Sequence, residues 1–290
     1  YFAPGAVWKH EQPGFFALLG SMAICFAVGA GLRYLGRNGT AQLFRKEAMA
    51  AVALSWVLAT MLGALPYILS GTSRKPATPM SPVDAMFEAQ SGFSTTGATV
   101  LTDLEVHGDQ PPLVPRCILF WRSSTHFLGG LGIIVLFVAI LGQGSAGKAM
   151  MRTEMPGPSQ SSPQARMQQT AWVLFLIYAG LNGLLTVLLC LEGLSLFDAL
   201  CHAFGTMATG GFSTYNASIG HFATVDGLNG PLIEMTIVAF MLLAGTNFML
   251  LYCVVIFRPG RLLADVEWRT YISVIVAATA LVAGLGIYCY

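Results

Sequence analysis

The amino-acid sequence predicts an all-α membrane protein built on a tandem, parallel repeat of spanning helix, half-length helix and spanning helix. Three observations carry that reading. Of its 290 residues, 55% are hydrophobic and only 10% charged, at a mean hydropathy of +0.66; a soluble domain would be about a quarter charged. Six apolar stretches are long enough to cross a bilayer. Two polar stretches between them, 83–100 and 197–214, align on one another without gaps.

The remaining composition narrows the class. A net charge of +1 argues against a nucleic-acid partner. The six cysteines lie mostly in apolar runs without paired spacing, and read as small buried hydrophobes rather than metal ligands or a disulfide framework. The chain begins at Tyr1, shows no signal-peptide pattern and ends at Tyr290 inside an apolar run, so it reads as a piece of something longer.

A spanning helix needs about 20 mostly apolar residues. The stretches 14–35, 48–70, 115–142, 169–191, 230–257 and 268–290 qualify. They are continuous rather than alternating, which excludes a barrel, and their Ala, Gly, Leu and Phe content suits helix packing in lipid. Ten of the fifteen basic residues fall between spans one and two (Arg33, Arg37, Arg45, Lys46), three and four (Lys148, Arg152, Arg166) and five and six (Arg258, Arg261, Arg269). The positive-inside rule places these loops in the cytoplasm. Ten of fourteen acids then lie outside or near the outer edge, among them Asp103, Glu105 and Asp109. They either concentrate cations there or mark loops that merely lack Lys and Arg.

The repeat is explicit. "VDAMFEAQSGFSTTGATV" (83–100) laid over "FDALCHAFGTMATGGFST" (197–214), 114 residues on, matches Asp84 with Asp198, Ala85 with Ala199, Ala89 with Ala203, Thr95 with Thr209 and Gly97 with Gly211. Each copy sits between two spans, and both units have the same orientation. Residues 82–91 and 196–205 are expected as helices of about 15 Å, half the hydrocarbon thickness. Asp84 and Asp198 fall at their starts, where a carboxylate suits free N–H groups. The following Thr/Gly runs return as extended backbone, tolerated at membrane depth only if buried in protein or lining a wet cavity. Either run alone reads as an ordinary loop. Repeated in register after a half-length helix, the pair reads as parts of a selectivity filter, in which backbone carbonyls replace an ion's hydration shell. The carbonyls are expected from Thr95, Thr96 and Gly97, with Ala98 as an extension, and from Thr209, Gly210 and Gly211, with Phe212 as an extension.

These residues resemble the Trk/Ktr/HKT superfamily of potassium transporters, its TrkH branch above all. The motifs are "SGFSTTGATV" (91–100), "FWRSSTHFLGGLGIIVL" (120–136), "RTEMPGP" (152–158), "ATGGFSTYNASIG" (208–220) and "GTNF" (245–248). The resemblance implies a potassium-channel-like pore fold with four repeats, of which two are complete here; filters three and four and the broken gating helix of repeat three are absent. It divides the chain into an accessory helix and cytoplasmic loop (1–47), repeat one (48–142, filter 94–98), a cytoplasmic linker (143–168), repeat two (169–257, filter 208–212) and the start of repeat three (258–290). It implies potassium as the substrate, no covalently bound cofactor, a homodimer in the inner membrane, and gating by a cytosolic ring of RCK-type nucleotide-binding domains. Ser at the first filter glycine accompanies sodium permeation in the superfamily, so Gly97 and Gly211 imply potassium preference.

Other residues are weighed from chemistry. Arg122, a third of the way along its span, needs a partner; Glu88 on the first half-helix is the expected one, bracing the pore helix. His202 stands where repeat one has Glu88, so that brace should not be shared. His126 is expected to pack or bond a neighbouring helix rather than hold a metal. Gly129, Gly130 and Gly132 point to close helix packing in preference to a hinge. Thr246 and Asn247 either line the cavity below the filter or bond between helices. The Pro/Ser-rich loop 143–167 is expected to be a plain connector, with contact to the regulatory ring as the alternative.

Two transport classes remain. A channel-like uptake protein is expected, because the central thirds of the spans carry almost no charge. An alternating-access cation carrier is the alternative, since parallel repeats and broken segments occur there too. No acid, base, nucleophile or metal constellation points to an enzyme.

Overall fold

The computed structural model describes residues 4–38, 45–75, 78–105, 114–141, 163–255 and 260–289. Lys148, Arg152, Asp109, Arg258, the motif at 152–158 and most of the expected linker lie outside the described residues.

The chain runs α1 (Pro4–Gly36), α2 (Arg45–Leu69), a small hairpin of β1 (Ser73–Lys75) and β2 (Thr78–Pro79), α3 (Pro82–Phe93) and α4 (Arg116–Leu141). After the linker come α5 (Pro163–Leu191), α6 (Leu196–Met207), a 3₁₀ turn (Ser218–Ala223), α7 (Gly230–Ala244), α8 (Phe248–Val255), α9 (Gly260–Ala264) and α10 (Val266–Cys289). In the hairpin Ser73 faces Pro79 and Lys75 faces Thr78, antiparallel. The repeat is thus α2–α3–α4 followed by α5–α6–α7/α8. Both half-length helices have 12 residues, about 18 Å at 1.5 Å per residue.

Among the described residues, four helices are long and apolar enough to cross a membrane by themselves: Glu11–Gly36, Met49–Leu69, Gln169–Leu191 and Val266–Leu285. α7 and α8 make a fifth if taken as one bent span. α4 has the length too, 26 residues, and its first half carries Arg116, Arg122, Ser123, Ser124, Thr125 and His126. Those side chains are mostly buried in protein, which is why a polar helix fits here. α5 starts at Pro163, six residues before its expected start; a proline is well placed in a first turn, where its missing N–H costs nothing.

The expected span 230–257 is two helices rather than one. α7 stops at Ala244 and α8 starts at Phe248, bent by 105°. The cause is local. Asn247 turns its carboxamide oxygen to the Met249 N–H at 3.0 Å, in the manner of a helix cap. The Thr246 hydroxyl bonds back to the Leu242 carbonyl at 2.9 Å. Gly245 leaves room for Tyr271, at 2.9 Å from its ring carbon to the position a Cβ would take.

The chain divides into two units, Tyr1–Ile133 with Asn182–Phe240, and Ile134–Leu181 with Met241–Tyr290. In the larger unit, Ala64 and Tyr67 of α2, Ala85 and Ala89 of α3 and Ile118 and Leu119 of α4 form one buried cluster with Met80, Leu101, Leu104 and Val114. The two alanines of α3 are fully buried; small side chains there let α2 and α4 approach the half-helix. In the smaller unit Tyr178 packs on Phe248 with ring centres 6.2 Å apart. None of the most apolar stretch of α10 is buried, and α1 exposes Phe16, Met22, Phe26 and Leu35. Apolar surface on this scale suits lipid, not water.

Among the described residues there is no disulfide and no cluster of three metal-ligating side chains. Cys201 and Cys253 are buried, while Cys25, Cys117 and Cys190 are half-buried.

Candidate functional site

The site is built by the two half-length helices and the Thr/Gly segment at the end of each. Ser81 caps α3: its hydroxyl accepts the Asp84 N–H at 3.1 Å, and Asp84 reaches back to the Ser81 N–H at 3.3 Å, with Pro82 in the first turn. Ser195 caps α6 with its hydroxyl, accepting the Asp198 N–H at 3.1 Å. Both aspartates therefore sit at helix starts, as expected from sequence.

The helix ends match residue for residue. Ser94 N–H bonds the Gln90 carbonyl at 2.8 Å, Thr95 N–H that of Gly92 at 3.0 Å and Thr96 N–H that of Ser91 at 2.9 Å. In the second copy Ala208, Thr209 and Gly210 bond Phe204, Thr206 and Gly205 at 3.2, 3.0 and 2.9 Å. The last helical carbonyls are thereby satisfied. Thr95 and Thr209 both take left-handed dihedrals, φ 54° and 56°, and Gly97 and Gly211 come two residues later at φ 75° and 87°. A β-branched residue in that region is strained, and strain of this kind collects at functional sites.

The outcome is a set of exposed carbonyls. Among the described residues no donor reaches the carbonyl oxygens of Thr95, Thr96, Gly97, Thr209, Gly210 or Gly211. Ala98 differs: its carbonyl accepts the Ser91 hydroxyl at 2.6 Å. At the matching place Gly205 stands for Ser91, and its bare backbone lets the Phe212 carbonyl come to 2.8 Å from where a Cβ would be. The two Thr/Gly segments also touch: a Cβ on Gly97 would overlap the Gly210 carbonyl.

Glu88 and Arg122 meet as expected. Arg122 Nε donates to Glu88 at 2.6 Å, and both side chains are buried, 2% and 0% exposed. Glu88 also accepts the Thr99 hydroxyl at 2.8 Å and the Val100 N–H at 3.0 Å. Such a pair is tolerable only because its remaining hydrogen-bonding capacity is used. Arg122 goes further than the sequence suggested. It donates to the Ser213 carbonyl of the second copy at 2.9 Å and lies 3.6 Å from the centre of the Phe212 ring.

The ion pair is not repeated, but its position is. His202, in place of Glu88, bonds the Ser213 hydroxyl at 3.0 Å, and Ser213 stands in place of Thr99. Thr236, in place of Arg122, donates to Glu192 at 2.6 Å.

His126 packs and bonds, as expected. Its Nδ1 is 2.9 Å from the Gly92 carbonyl, its Nε2 accepts the Phe212 N–H at 3.3 Å, and its ring stacks on Phe212 at 4.1 Å. Gly129 and Gly132 serve close packing: a Cβ on Gly129 would overlap the Phe93 carbonyl, and one on Gly132 would stand 3.1 Å from Trp56.

Sequence reasoning missed a clasp on Asn216. Its side chain accepts the Leu104 N–H at 2.9 Å and donates to Asp103 at 2.8 Å, while its backbone N–H donates to Glu105 at 2.8 Å. Two of the outer acids thus tie the two copies together. The contacts join residues 111 to 113 apart, and no local pattern announces them. Nearby, burial and the Asp198 carboxylate push the Tyr215 phenol up to about 12, so it stays neutral.

Thr246 and Asn247 belong to the smaller unit. With Gly245, Glu267, Trp268 and Tyr271 they line a cavity of about 420 Å³, and Asn247 lies 3.4 Å from Glu267.

Comparison with known proteins gives this arrangement its setting. The family described as TrkH, cation transport protein, matches residues 15–279. The Trk system potassium uptake protein TrkH of Halomonas elongata is 40% identical over 245 residues, 83% of this chain and 47% of that protein. Escherichia coli K12 TrkG is 32% identical over 286 residues, 96% of this chain and 55% of its own length. The crystal structure of the potassium transporter TrkH from Vibrio parahaemolyticus superposes with a TM-score of 0.74 at 29% identity, covering 98% of this chain and 57% of that one. The chain therefore spans about half the length of the relatives it matches. Its membrane-length helices, its two matched half-helices and this family match over most of its length agree: the chain is a multi-pass inner-membrane protein that belongs to the TrkH family of cation transport proteins.

Proposed function

We propose that this chain supplies the first half of a potassium uptake pore. Residues 48–142 and 169–257 act as pore repeats one and two, 1–47 as an accessory helix and loop, 143–168 as a cytoplasmic linker and 258–290 as the start of repeat three. The observation that carries the reading is the matched pair of Thr/Gly segments, whose six carbonyls have no donor among the described residues. A dehydrating cation is the partner such a row suits. Potassium is the ion, by the names of the relatives. Two segments do not close a ring, so transport belongs to the full-length parent. That parent conducts as a homodimer in lipid, gated by a cytosolic nucleotide-binding ring, with the basic loops inside.

The test replaces Gly97 or Gly211 by Ser in the parent, in a strain lacking its own potassium uptake. Uptake of potassium, rubidium and sodium is measured beside membrane abundance. Preference for potassium over sodium should fall while abundance holds. Unchanged preference in both variants at normal abundance removes these glycines from the ion path.

The alternating-access reading has one observation on its side, the broken helix at Gly245–Asn247 beside the Glu267 cavity. Single-channel currents in planar bilayers would decide for the pore; saturable, strictly coupled flux would decide for the carrier.

A further inference from the structure

We propose that His126 is a positioning residue that sets the second filter strand against the end of the first pore helix. The inference rests on the filter reading above.

The imidazole stands between two backbone groups of fixed polarity. The Gly92 carbonyl, in the last turn of α3, can only accept; the Phe212 N–H, in the second strand, can only donate. One neutral tautomer satisfies both, with the proton on Nδ1 and the lone pair on Nε2. The ring is thus a spacer of set length, reaching from one copy to the other. Its face lies on the Phe212 ring at 4.1 Å with the planes 13° apart. The side chain is fully buried, so water offers neither backbone group a ready substitute.

A second observation points the same way. The strand differs from its twin at three places, Ala208 for Ser94, Gly210 for Thr96 and Phe212 for Ala98, and His126 stands against the last two. Gly210 does not need glycine for its dihedrals, since it is not among the residues with positive φ. It needs glycine because a Cβ there would run into the His126 ring. The match to His126 one repeat on is Phe240, and no ring contact with the first strand accompanies it among the described residues. The glycine at 210 therefore traces to one histidine. His126 does not touch the ion in this scheme; it aims the Gly210 and Gly211 carbonyls by holding the backbone next to them.

The test uses the full-length parent in a strain without its own potassium uptake. It compares His126→Asn, His126→Gln and His126→Phe for rubidium and sodium uptake, membrane abundance and thermal stability. Asn reproduces the Nδ1 donor alone, Gln places an oxygen near Nε2, and Phe keeps the stacked ring without either bond. Asn and Phe should lower rubidium-over-sodium preference several-fold, and Gln, which keeps the acceptor for the Phe212 N–H, should lose clearly less. Equal losses in Asn and Gln that track stability would make His126 a packing residue and overturn the proposal. Unchanged preference in all three at normal abundance would overturn it too. Gly97→Ser and Gly211→Ser run alongside. If both also leave preference unchanged, the filter reading fails; if either alters preference and the histidine series does not, only the positioning role fails. Should the single variants fold poorly, Gly210→Ala is compared with Gly210→Ala combined with His126→Asn. Partial recovery of uptake in the pair supports the direct contact, and no recovery refutes it.

Discussion

The two Thr/Gly segments share one backbone path in different surroundings. Each has a threonine and then a glycine at positive φ, two residues apart, after a 12-residue helix with a Ser cap. Their surroundings diverge. Gly97 faces the Gly210 carbonyl, while a Cβ on Gly211 would meet nothing within 4 Å among the described residues. Glu88 and Arg122 brace the first copy with a buried ion pair, where the second uses neutral His202 and Ser213. The lesson is that a repeat fixes dihedrals through its helix ends, whereas each copy's packing is settled separately by what lies beside it.

The largest difference should appear in the braces. Glu88→Ala leaves Arg122 buried without its counter-ion and should cost about 3–5 kcal/mol. His202→Ala removes neutral bonds and should cost about 1–3 kcal/mol. Thermal unfolding of the purified parent in detergent measures both; equal losses would mean that charge does not separate the copies.

The glycines come next. Gly211→Ala meets only the left-handed penalty, about 1–2 kcal/mol. Gly97→Ala meets that penalty and the Gly210 carbonyl, so it should displace the neighbouring strand as well. Ion preference should fall further for Gly97→Ala than for Gly211→Ala. The reverse order, at matched abundance, would mean that the first strand relaxes freely.

The Asn216 clasp should be smaller. Asn216→Ala removes both side-chain bonds between the copies, and about 1–2 kcal/mol is expected. Asp103→Asn with Glu105→Gln keeps acceptors in place while removing charge, so stability should hold. Uptake at low and high salt then separates the two roles of these acids. A loss seen only at low salt marks cation attraction, since the Debye length shrinks to about 8 Å at 0.15 M.

The smallest effect belongs to the helix starts. Asp84 pairs with half-exposed Arg74 at 3.7 Å, and Asp84→Asn should change stability by no more than about 1 kcal/mol. Asp198 also accepts the Thr214 hydroxyl at 2.9 Å, so Asp198→Asn should cost somewhat more.

Much of this was legible from residues alone, because its causes are local. Apolar runs locate the spans, Asp84 and Asp198 mark the helix starts, and a gap-free match over 18 residues locates both half-helices and both glycines. Glu88 could be paired with Arg122 because a buried charge must have a partner and few acids were at the right depth. The break at Gly245–Asn247 was less legible. Thr246 and Asn247 looked polar in an apolar run, but glue, lining and helix break share that signature.

By itself the sequence determined the membrane class, the order of the spans, the repeat and the matched glycines at positions 97 and 211. These depend on hydropathy, capping and backbone sterics within a few residues. Tertiary structure alone decided that Arg122 and His126 grip Phe212 and Ser213, that Asn216 ties both copies, and that Gly210 is glycine because an imidazole fills its space. Those are contacts between segments 84 to 113 residues apart. Their partners are chosen by packing, and packing leaves no periodic mark along the chain.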